Sequence, residues 1–219
     1  MSLIINNLGL SYKFLTPHPF DEKEFLENLK DTFIQSTLLG VDLAAPNQTY
    51  PIYTTKSGTC ELNFQPKRGV IGVKGNNFSE VNSYFEKING IFSDKMEVNI
   101  NEVDYLELVG DGRYKGKEVP LETISKRYNL QNASIIQDFF NNEEIIPFEI
   151  RCCSKEALNN KRNIREVNNW FELLIMPLIV NPSFYYWQVI FRKDDVSKVK
   201  LFWNDIENKI NELFAQLEG

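Results

Sequence analysis

The chain has 219 residues, 42% of them hydrophobic and 25% charged, enough to bury a sizeable core in one or two domains. A net charge of -6 and a pI near 5.0 disfavour nucleic acid as a general partner, because phosphate binding needs a basic surface. The single histidine, His18, would have to serve any serine or cysteine triad, paired-histidine metal motifs are excluded, and three cysteines argue against a four-ligand zinc site.

The odd cysteine count (Cys60, Cys152 and Cys153) points to free thiols and a reducing, cytoplasmic setting, since the adjacent pair could close only a strained disulfide. No signal peptide opens the chain. The longest apolar stretch, 170–180, is broken by Glu172 and Pro177 and is too short to cross a bilayer, so no membrane is expected. Residues 1–3 and 218–219 resemble cloning remnants and are set outside the expected fold. Sixteen Phe, nine Tyr and three Trp imply a core, or a cavity, built on rings.

Along the chain, residues 8–15 form a first expected strand that runs into the Pro17-His18-Pro19 bend. Asp21 and Glu24 make a capping box and Phe20 with Phe25 a hydrophobic staple, which starts a helix to about residue 36. Residues 38–49 are expected as loop. A meander follows at 50–55, 59–65 and 69–74, with turns at Lys56-Ser57-Gly58 and Pro66-Lys67-Arg68. Asn77 and Glu80 cap a second helix whose Val81, Tyr84, Phe85, Ile88 and Phe92 share one face.

A long strand is predicted over 96–109, with a bulge between Ile100 and Val103 where the apolar parity changes. Gly110-Asp111-Gly112 would then turn it into a second strand over 113–119. Pro120 starts a short helix to Tyr128, a helical stretch covers 133–140, and a strand covers 145–154. For 163–180 the pattern favours a helix followed by an extended strand. The alternative is a hairpin of 172–180 with 184–192 around Asn181-Pro182-Ser183. Residues 184–191 are apolar on both faces and form a central strand. One long amphipathic helix closes the chain from Asp194 or Asp195 to Leu217.

The fold class is therefore α+β: antiparallel β-meanders covered by helices, in two α/β halves (4–118 and 119–217, or one continuous domain), with a long amphipathic C-terminal helix. Gly69, Gly72 and Gly75 lead into a helix N-terminus, but their spacing is neither the dinucleotide fingerprint nor a Walker loop. Glu97, Glu102, Asp104, Glu107, Glu143 and Glu144 fit a solvated strand face better than a catalytic pair. Arg151, Lys155, Lys161, Arg162 and Arg165 form the best candidate anion-contacting surface. Val199, Trp203, Ile206 and Ile210 mark a candidate interface on the last helix.

No catalytic residue, cofactor or metal site is assigned. The leading expectation is a non-enzymatic protein-interaction or self-assembling module whose partner is another protein or a second copy. The alternative is a domain for a small apolar ligand, with an aromatic-lined cavity under the last helix. An enzyme working through carboxylates or a cysteine ranks third.

Overall fold

The computed structural model describes residues 2–15, 21–34, 42–43, 53–57, 60–65, 68–100, 103–128, 137, 144–156 and 167–219. In chain order the elements are β1 (Leu3–Phe14), α1 (Glu22–Ile34), β2 (Asp42–Leu43), β3 (Tyr53–Ser57), β4 (Cys60–Gln65), β5 (Val70–Gly75) and α2 (Phe78–Gly90). They continue with a π-helical turn (Ile91–Lys95), β6 (Val103–Lys115), α3 (Pro120–Arg127), β7 (Ile150–Cys153), β8 (Trp170–Pro177), β9 (Phe184–Lys193), α4 (Val196–Asn204) and α5 (Ile206–Glu218). The strands form one antiparallel sheet in the order β2-β3-β4-β5-β1-β6-β9-β8-β7, so the class is mixed α+β.

Alternation along the strands assigns the two faces of the sheet. Leu8, Leu10, Tyr12 and Phe14 of β1 are buried, as are Leu62 and Phe64 of β4, Ile71 and Val73 of β5, and Leu106, Leu108 and Tyr114 of β6. These side chains meet the helices. Tyr12 stacks on Phe85 of α2 with centroids 5.0 Å apart, Phe25 of α1 stacks on Phe92 at 5.1 Å, and Tyr114 stacks on Phe214 of α5 at 4.2 Å. The opposite face carries Glu61, Asn63, Gln65, Ser11, Glu107 and Gln188, all half-buried. A sheet with one packed and one polar face is a stable antiparallel solution.

Local signals hold where their partners are near in sequence. Asp21 accepts from the Glu24 amide at 2.8 Å, and Asn77 accepts from the Glu80 amide at 3.0 Å, so both caps form. Asp42–Leu43 lies inside the expected loop yet pairs with β3. The expected turn at Lys56-Ser57 is strand, because Ser57 pairs with Cys60.

Three expectations are corrected. Gly110-Asp111-Gly112 is not a turn: β6 runs straight through it, pairing with β1 and β9 along its length. The glycines are there for close approach. A Cβ on Gly112 would lie 2.2 Å from the Ile4 carbonyl oxygen and 2.7 Å from the Trp187 ring, and one on Gly110 would lie 2.8 Å from Leu8. The break falls earlier, near Glu97, whose φ of 53° ends the preceding segment.

Residues 170–177 are strand, and the hairpin alternative is the one adopted. β8 pairs with β9 from Trp170 to Pro177, and the connection is closed by Leu178 N–H to Phe184 O at 2.8 Å. Finally, the C-terminal span is two helices. Asp205 interrupts it at φ -119° and ψ 11°, where its carboxylate accepts from the Asn208 side chain at 2.9 Å and pairs with Lys209 at 3.3 Å. Asn204-Asp205 favours this local bonding over helix continuation.

The terminal residues belong to the fold. Leu3 is the first residue of β1, Ser2 O accepts from the Lys115 amide at 3.0 Å, and Glu218 accepts from the Lys117 amide at 2.9 Å. The helix expected at 133–140 lies outside the described residues apart from residue 137.

Candidate functional site

The register of the sheet lays side chains without rings in a row beneath the C-terminal helices. Cys152 of β7 pairs with Leu173 of β8, Leu173 with Val189 of β9, and Val189 with Gly110 of β6. The neighbouring rows carry rings: Phe171 pairs with Phe191 on one side, and Ile175 with Trp187 on the other. Side chains on one strand face stand in cross-strand rows, so a row of smaller residues between two larger ones leaves a trough.

α4 and α5 cross above that trough. Phe202 of α4 stacks on Phe191 at 4.6 Å and closes one end, while Phe214 of α5 packs against Tyr185 at 5.0 Å. Between them Ile206, Ile210 and Leu213 face the strands, spaced as one helix stripe. The groove so formed is half open to solvent, with a volume of about 360 Å³ and a lining that is apolar except at Cys152, Glu172 and Lys209.

Each polar lining residue has a defined setting. Glu172, only 6% exposed, accepts from Nε of Arg151 at 3.0 Å. That bond and the charge of Glu172 hold the Arg151 guanidinium above its ordinary pKa. Lys209 sits in the first turn of α5, with its ammonium 5.7 Å from the centre of the Phe202 ring and paired with Asp205. Hydrogen bonds from Asn208 and Lys209 in turn hold the Asp205 carboxyl below the usual range. Cys152 and Cys153 are exposed free thiols, whereas Cys60 is buried and desolvation pushes its thiol up to about 11.

The residues singled out from sequence are dispersed. Arg151 is committed to Glu172, Lys155 lies exposed beyond β7, and Lys161, Arg162 and Arg165 lie outside the described residues, as does His18. Val199, Trp203, Ile206 and Ile210 are 0%, 1%, 1% and 5% exposed and pack inside the chain itself. Trp203 stacks on Phe78 at 4.8 Å and donates to Asn82 of α2 at 2.9 Å.

Gly69 takes a φ of 60° at a turn, and a Cβ on Gly72 would meet Ser11 Oγ at 2.2 Å, so both glycines have packing roles. Asp111 accepts from Asn6 and Asn7 within the sheet. Glu107 binds Arg192 at 2.7 Å, and Asp104 accepts from Asn168. Glu102 and Glu143 lie outside the described residues.

Sequence reasoning assigned none of the strand residues that line the groove (Cys152, Phe171, Leu173, Trp187, Val189 and Phe191) to a site. Nothing in their local sequence marks them, since the trough exists only once β7, β8 and β9 are in register. Among the described residues, no cluster of three or more His, Cys, Asp or Glu side chains is placed to hold a metal ion. Among them also, no helix is long and apolar enough to cross a membrane. Neither a known family model nor a curated protein matches the chain.

Proposed function

We propose that this chain is a binding domain for a small apolar molecule held between β8–β9 and α4–α5. The observation that carries the reading is the 360 Å³ apolar groove under the C-terminal helices. It falls in the usual size range of small-molecule sites.

A second half of the molecule supplies the contrast. We take the chain as two halves of like plan, each a strand, a helix, a meander and a closing helical segment, joined through the β1–β6 pair. In the first half the space under the helices is filled by Tyr12, Phe14, Phe25, Phe64, Phe85 and Phe92, whose rings lie 4.8 to 6.3 Å apart. In the second half the corresponding space keeps the groove. An apolar groove left open in a molecule otherwise rich in packed rings favours a ligand.

Thermal unfolding with and without decanol tests this. A ligand that binds only the folded state at a hundred times its Kd adds about 2.7 kcal/mol, or roughly 5–10 °C for a chain of this size. Leu173→Trp, which fills the trough, should abolish that gain. The competing reading is a protein-interaction module, supported by Ile179 and Val180 at the tip of the β8–β9 connection, 78% and 87% exposed. It gains if decanol leaves the midpoint unmoved and native mass spectrometry shows a dimer.

A further inference from the structure

We infer that β7, the open edge of the sheet, pairs with β7 of a second copy of this chain, antiparallel about a two-fold axis at Cys152. The pairing stands whether or not the groove holds a ligand. β7 ends the strand order, and among the described residues no strand pairs with its outer side. Arg151, Cys152 and Cys153 are exposed, and so are Phe148 and Glu149 before them. Solitary edge strands are commonly blunted by lysine, proline or a bulge, and Ile150–Cys153 carries none of these.

Backbone direction and charge select the register. Cys153 pairs with Glu172, so Phe171 stands opposite Ser154, and the Ser154 N–H donates to the Phe171 carbonyl at 2.9 Å. The even-numbered residues of β7 therefore turn their N–H and C=O groups inward to β8, while Arg151 and Cys153 turn theirs outward. Strands related by a two-fold must set outward residues against outward residues, which places the axis at a residue of β7. At Ile150 it would set Cys153 against Pro147, which has no N–H to give. At Arg151 or at Cys153 it would oppose like charges, Arg151 meeting its own copy or Lys155. At Cys152 it opposes none: Arg151 meets Cys153, and Glu149 of each copy meets Lys155 of the other, both exposed.

The faces agree as well. Such an axis stands perpendicular to the sheet, so both copies keep their helices on the same side. Cys152 is the residue of β7 that lines the groove. Along its row exposure climbs toward the edge: Val189 is 8% exposed, Leu173 is half-buried and Cys152 is exposed. The open end of one groove thus meets that of the other, with the two Cys152 side chains next to each other. Facing residues of a non-hydrogen-bonded pair have Cα atoms about 4.5 Å apart, within disulfide reach. So short a pairing makes a small, reversible interface.

Sedimentation velocity of the full chain under reducing conditions, from about 10 μM to about 1 mM, should show monomer passing into dimer with a Kd of about 100 μM. Glu149→Lys should weaken the dimer about tenfold, and combining it with Lys155→Glu should restore it. Both residues are exposed, so the variants keep the fold, which an unchanged melting temperature verifies. Diamide, which takes one electron and one proton from each thiol, should link wild type and Cys153→Ser as disulfide dimers and leave Cys152→Ser unlinked. Monomer throughout the concentration range overturns the inference. A dimer that ignores both charge reversals, or that links through Cys153, also overturns it and moves the contact elsewhere, as to the exposed Ile179 and Val180. None of these results alters the decanol test of the groove.

Discussion

Gly112 and Gly72 show how differently two glycines in one sheet are constrained. A Cβ on Gly112 would strike a backbone oxygen, that of Ile4, at 2.2 Å and the buried Trp187 ring at 2.7 Å, and neither can move without displacing a strand. A Cβ on Gly72 would meet Ser11 Oγ, the end of a short side chain, at 2.2 Å, and the nearest backbone oxygen, that of Leu10, only at 3.0 Å. Gly112→Ala should therefore cost about 3 kcal/mol or more and Gly72→Ala about 1 kcal/mol. Urea unfolding of the two variants checks the order.

The cysteines separate in the same way. Cys60 is 3% exposed and its thiol is pushed from an ordinary 9.0 up to about 11, first by desolvation and then by the charge of Glu80. Iodoacetamide at pH 8 should alkylate Cys152 and Cys153, leaving Cys60 protected until the chain unfolds. Burial likewise raises Tyr185 from 10.0 to about 12. Both groups are neutral in the fold and have raised pKa values. Their contribution to stability is fully present below pH 9 and is lost as the pH rises through 11 to 12. A urea midpoint that falls steadily over that alkaline range is the expected result, and a flat profile would contradict it.

At the scale of elements, legibility follows the sequence distance between partners. The caps of α1 and α2 were readable because Asp21 and Asn77 bond to amides three residues away. Asn77→Ala should accordingly cost about 1 kcal/mol, measured by thermal or urea unfolding. The glycines of β6 look like a turn in isolation, and only the arrival of β1 and Trp187 from opposite ends of the chain shows why they are strand. β8 is ambiguous in sequence because Val167, Trp170 and Leu174 fit one helical face nearly as well as a strand, and pairing with β9 decides it.

The candidate site was legible by composition and blank by residue. An excess of rings and an apolar terminal stripe suggest a cavity under the last helix. Which residues stay small beneath it depends on the pairing of Cys152, Leu173 and Val189, which no local pattern encodes. Of the stripe on the last two helices, Val199, Trp203, Ile206 and Ile210 are buried within the chain, at most 5% exposed.

At the scale of the whole molecule, the question is whether the two proposed halves unfold together. The sheet is continuous across them, since β1 pairs with β6 from Leu3 to Phe14 and β6 pairs with β9 from Leu106 to Lys115. A second link lies above the sheet, where Trp203 of α4 stacks on Phe78 and bonds to Asn82 of α2. Trp170 and Trp187 lie in the second half and Trp203 at its contact with α2, so fluorescence reports the second half and that contact, while far-UV circular dichroism reports the whole chain. If the shared strands and the α2–α4 contact couple the halves, the two signals should give one urea midpoint, and Gly112→Ala should shift both by the same amount. Two separated midpoints would mean that the β1–β6 pairing is an interface between independently stable domains. The groove would then belong to a domain that can open without the rest, and ligand binding should raise the fluorescence midpoint alone.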